Sequence, residues 1–99
     1  MDSRRLAEIR RLADLATALD AESIESGISA HFIEIRKGRD GEVLVLANRE
    51  GLIHLARTCL SLATQPTVGS HQHFDETGLV VRCDMPLVLV LSEAEWEKT

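Results

Sequence analysis

Along residues 3–19 the apolar positions Leu6, Ile9, Leu12, Ala13, Ala16 and Leu19 recur at steps of three and four, with arginines and acids between them. That spacing predicts an amphipathic helix. Asp20, Glu22 and Glu25 then read as an acidic, serine-containing link that stops at Gly27. Residues 31–36 and 42–47 are rich in β-branched and aliphatic side chains and flank Gly38-Arg39-Asp40-Gly41, an Asp-Gly turn signal that predicts a hairpin. Asn48 offers an N-cap and Glu50 suits the helix dipole of a second helix. On that helix Leu52, Ile53, Leu55, Ala56, Cys59, Leu60 and Ala63 form one broad apolar face, which is expected to be its packed side. His54, Arg57, Thr58 and Ser61 fall opposite, and His54, Arg57 and Ser61 are expected to stay wet. Gln65-Pro66 ends the helix.

Beyond Gly69, residues 70–75 alternate as a short strand, Thr77-Gly78 marks a turn, and 79–83 has strand propensity. Asp84-Met85-Pro86 breaks the run before Leu87-Val88-Leu89-Val90-Leu91, which is apolar on both faces and reads as a strand interior to a sheet. Ser92 and Glu95 match a capping box over a very short C-terminal piece. The order of elements predicts an α+β fold, a two-layer sandwich with an antiparallel or mixed sheet of about four strands and two helices on one face. At 99 residues the chain has room for one domain, 1–99, with 1–27 as helix and acidic link and 28–92 as the core.

Charge and composition narrow the function. A formal net charge of −5 opposes phosphate backbones, and 3% aromatic content leaves little stacking surface, so nucleic acid is an unsuitable partner. The same acidity favours docking on a basic surface. No apolar run approaches the roughly 20 residues of a membrane helix, and no apolar stretch follows the N-terminal arginines, so the expected compartment is the cytoplasm, without a membrane partner. Cys59 and Cys83 sit in apolar stretches and are expected to be buried, reduced thiols.

The one dense polar constellation is His71-Gln72-His73-Phe74-Asp75. A strand repeats its side chains every two residues, so His71, His73 and Asp75 would share one face and Phe74 would turn to the core. Two imidazoles and a carboxylate have the composition of a two-His, one-carboxylate metal site, to which His31, His54 and Glu76 are speculative additions. A His pair could also serve acid/base cleavage of a phosphodiester, but no Gly-rich phosphate loop and no Lys or Arg stands beside it. The reading adopted is a solvated strand face that offers hydrogen-bonding groups to a partner, with no metal and no catalytic residue. His54 on the polar side of its helix and His31 at a strand start read as ordinary surface histidines. Walker-type and Rossmann glycine patterns, a nucleophile elbow and a CxxC pair are all missing, so no cofactor is expected and an enzyme is the minority reading.

Residues 50–91 resemble the small immunity proteins of bacterial polymorphic toxin systems, the type with a Gly-Leu helix followed by a GSHxHxD strand. The matching pieces are Gly51-Leu52-Ile53-His54-Leu55-Ala56-Arg57, Leu62-Ala63, Gly69-Ser70-His71-Gln72-His73-Phe74-Asp75, Gly78-Leu79 and the strand at 87–91. The resemblance covers somewhat under half of the chain, and GSHxHxD is its most distinctive part. It implies a protein that binds and neutralises a cognate toxin domain, with His71, His73 and Asp75 as the marked, partner-binding positions. The first helix has no counterpart in it and would serve recognition, packing or a homodimer. The alternative, a metal-dependent or His-dependent hydrolase centred on HxHxD, shares the same residues.

Overall fold

A computed structural model describes residues 2–26, 31–75 and 80–93. Asp2 caps the first helix, its carboxylate accepting the Arg5 N–H at 2.8 Å, and α1 runs over Ser3–Ser26. The helix is longer than its apolar pattern suggests. The acidic stretch after Leu19 carries Ala21 and Glu22, which favour helix, so no break occurs where a link was expected.

Strands β1 (Ile33–Lys37) and β2 (Val43–Ala47) form the expected hairpin around Asp40-Gly41, whose φ angles are 61° and 79°. Asp and Gly are the residues that tolerate this left-handed backbone. Helix α2 spans Arg49–Ala63, capped by Asn48, which accepts the Gly51 N–H at 2.7 Å and the Phe32 N–H at 3.1 Å. One side chain thereby fixes both the start of α2 and the entry to β1. Strands β3 (His71–Phe74), β4 (Val80–Cys83) and β5 (Leu87–Val90) complete the described fold.

The strands form two sheets. One has the order β2-β1-β4, with β1 antiparallel to β2 and parallel to β4; the other pairs β3 with β5 antiparallel, Phe74 opposite Leu87 and His71 opposite Val90. The class is α+β, with five strands where about four were expected. The run at 87–91 was expected inside a sheet, but β5 pairs with β3 alone among the described strands and leaves Val88 and Val90 exposed. Ile33, Ile35, Phe74 and Val80 make the buried core, with Ala47, Leu55, Cys83, Met85, Leu87 and Leu89 packed around it. Helix α1 lies on α2, and α2 touches β2 and β3.

Helix α1 keeps most of its apolar stripe covered, whereas α2 turns much of its expected packed face outward. On α1, Leu6, Ile9, Ala13, Ala16 and Asp20 are covered, while Leu12 and Leu19 stay 55% and 46% exposed. On α2, Leu52, Ala56, Cys59 and Ala63 are exposed, and His54, Arg57, Thr58 and Ser61 are partly covered. Cys59 is therefore not the buried thiol expected of it. The reason lies in two contacts that hydrophobic periodicity ignores. Gly51 packs directly on the Phe32 carbonyl, and the polar side chains of α2 meet Asp20 of α1. The Gly27 stop, the Thr77-Gly78 turn, Glu76, Leu79 and most of the C-terminal capping box fall outside the described residues.

Candidate functional site

Phe74 is 4% exposed and anchors β3 on the core. Period-two alternation then turns His71 and His73 outward, as the sequence implied, and their rings meet edge to face at 5.0 Å. His71 donates its Nδ1 proton to the Gly69 carbonyl at 3.1 Å, since a carbonyl can only accept. The strand ends at Phe74, and the half-buried Asp75 follows as a bend. His73 and Asp75 both line a cavity of about 150 Å³ together with His54, Gln72, Ile33, Phe74 and Val80. His71 lines a wider groove of about 640 Å³ whose opposite wall is the polar side of α2, with Arg57, Thr58 and Ser61. Gln72 borders both recesses. The GSHxHxD stretch and α2 thus make one surface with two depressions, rich in hydrogen-bonding groups.

A second polar cluster lies beneath it, and sequence reasoning did not assemble it. Asp20 is 2% exposed, its Oδ1 is 2.6 Å from Nε2 of His31, and its Oδ2 is 2.9 Å from Nδ1 of His54 and 3.4 Å from a guanidinium nitrogen of Arg57. The His31 side chain is 4% exposed and that of His54 17%, so neither is the surface histidine expected. Their rings are also edge to face, with centroids 5.4 Å apart. Burial pushes the Asp20 carboxyl up, but the hydrogen bonds and attraction of His54 and His31 outweigh it and hold the group below its ordinary range. The signal for this cluster was an acid, Asp20, four residues beyond Ala16 on the buried stripe of α1. Charge at such a position is rarely left without a partner.

The geometry fits a fold that presents groups to a partner, and one comparison bears on which kind. Residues 42–89 match the family model of immunity protein 32, Imm32. This supports the resemblance to an immunity protein family of the polymorphic-toxin type that residues 50–91 carry. The Imm32 match includes α2, His71, His73 and Asp75, and stops short of α1 and β1. No curated protein and no solved structure matches the chain. No helix among the described residues is long and apolar enough to cross a membrane.

Proposed function

We propose that this protein neutralises a bacterial toxin by binding a cognate toxin domain in the cytoplasm, without catalysis. The match of residues 42–89 to Imm32 carries the reading. The surface just described supports it. His71 and His73 are exposed side by side, next to a groove walled by Arg57 and Ser61, and the net charge of −5 would speed encounter with a basic toxin face. His71, His73 and Asp75 are assigned as partner-binding residues, each able to exchange hydrogen bonds across an interface without a metal.

The experiment is coexpression with a candidate toxin domain taken from a neighbouring gene. The protein should restore growth and copurify with the toxin domain as a stoichiometric complex. His71→Ala combined with His73→Ala should weaken binding by about tenfold or more, the loss of one interface anchor pair, with an unchanged melting temperature. Growth restored with no complex formed would overturn binding in favour of a catalytic antidote.

A further inference from the structure

The cluster of Asp20, His31 and His54 goes beyond toxin binding and is independent of it. Its members come from three places in the chain: the far half of α1, the residue two before β1, and the second turn of α2. We propose that they form a binding site for a divalent transition-metal ion of the zinc class, which fastens α1 to the rest of the fold.

The donor set is the first argument. Two imidazole nitrogens and one carboxylate oxygen suit zinc and its neighbours, and the three donor atoms lie within 4.8 Å of one another. A zinc ion bound at about 2.1 Å spaces its donors roughly 3–3.5 Å apart, so the set, whose donors lie up to 4.8 Å apart and whose 2.6 and 2.9 Å contacts go to the two different oxygens of Asp20, reaches that spacing by side-chain shifts on the order of 1 Å. In the metal-free cluster Nε2 of His31 and Nδ1 of His54 carry the protons donated to Asp20, so binding requires each proton to leave that atom and move, by way of water, to the other ring nitrogen, which frees the lone pair for the ion. Arg57, the weakest contact at 3.4 Å and 40% exposed, is free to swing into solvent when the cation arrives. Three protein ligands leave one tetrahedral position for water.

Energetics supply the second argument. On the described side of α1 that is covered, Ala13 and the acid Asp20 are buried and Leu6, Ile9 and Ala16 are half-buried, while the larger Leu12, Leu15 and Leu19 are exposed. A small domain whose first helix leaves its larger leucines outside gains stability from a metal that binds only the folded state. Of the three, His54 lies in the stretch that matches Imm32 and Asp20 and His31 lie before it, so the site would tie the matched region to the preceding segment.

The test uses the full chain stripped of metal and titrated with zinc against a chromophoric chelator, followed by thermal melts with and without the ion. One zinc per chain is expected, with a rise in melting temperature on the order of 10 °C once free zinc exceeds its dissociation constant about a hundredfold. His54→Gln and Asp20→Asn should each weaken zinc binding by about tenfold or more. His54→Gln replaces a partly exposed group, so its zinc-free melt verifies that it folds and keeps the test valid if Asp20→Asn does not. The double variant His71→Ala with His73→Ala should keep full zinc binding. Zinc uptake that is missing in the native chain, that survives both His54→Gln and His31→Ala, or that disappears with His71 and His73 would overturn the site.

Discussion

A side chain on Gly51 would run into the backbone carbonyl of Phe32, and the atoms next nearest to it are Cγ1 of Ile33 and Cβ of Ala47. This contact, more than any apolar pair, decides which side of α2 turns inward. Gly51→Ala should destabilise the protein by about 1–3 kcal/mol despite the better helix propensity of alanine, because backbone and strand must move apart. Urea denaturation of the two proteins measures it, and an alanine variant as stable as the native chain would contradict the contact.

That contact also explains what the sequence could and could not reveal. The Asp-Gly hairpin, the Asn48 cap and the inward Phe74 rest on local rules, a left-handed turn, an N-cap and a two-residue period, and the structure has each of them. The face of α2 was misread because apolar periodicity registers side chains and ignores backbone approach and polar pairing. Gly51 carries no hydrophobicity, and Asp20 carries the wrong sign of it, yet these two residues orient α2. The pairing of His31 and His54 through Asp20 spans separations of 11 and 34 residues, which no local pattern encodes.

The inverted face of α2 makes a simple chemical prediction. Cys59 is exposed, whereas Cys83 is half-buried and donates to the Met85 carbonyl at 2.9 Å. A bulky thiol reagent should modify Cys59 rapidly in the native protein and Cys83 only at the rate of unfolding. Peptide mapping after brief labelling distinguishes the two. Protection of Cys59 would restore the apolar face, with Leu52 and Ala56, to the interior.

Asp84 gives a pH dependence. Its carboxylate accepts the Lys37 backbone N–H at 3.2 Å and the Arg82 Nε–H at 3.2 Å, and these bonds, in that order, hold its pKa below the ordinary range. A folded-state pKa below the unfolded one stabilises the protein above the unfolded value, and the gain is lost as pH falls through the folded value. Asp84→Asn should therefore lower the melting temperature near about pH 7, and the gap to the native protein should narrow toward about pH 2 as the carboxylate is progressively protonated. Thermal melts at the two pH values read the difference directly. An equal loss at both would mean that the bonds act through geometry and not through charge.

Strand β2 concerns solubility. It is an edge of its sheet, and Val43, Leu44, Val45 and Leu46 are each 38–47% exposed, so its free hydrogen-bonding side is flanked by apolar side chains. Such an edge invites pairing with another chain. Its two sets of side chains differ in what they face. Val43, Val45 and Ala47 stand across from Lys37, Ile35 and Ile33, on the side that carries the buried isoleucines, whereas Leu44 and Leu46 stand across from Arg36 and Glu34. A lysine at Leu46 would thus meet Glu34 across the strands and gain an opposite-charge pair, worth about 0.2–1 kcal/mol against the apolar contact it loses. Leu46→Lys should keep the melting temperature close to native and reduce self-association at high concentration, as followed by light scattering. Val45→Lys, set against the buried Ile35 with no acid opposite it, should cost more stability for the same gain in charge. Equal tolerance of both lysines would show that β2 has no inward face and that its register with β1 differs from the one described.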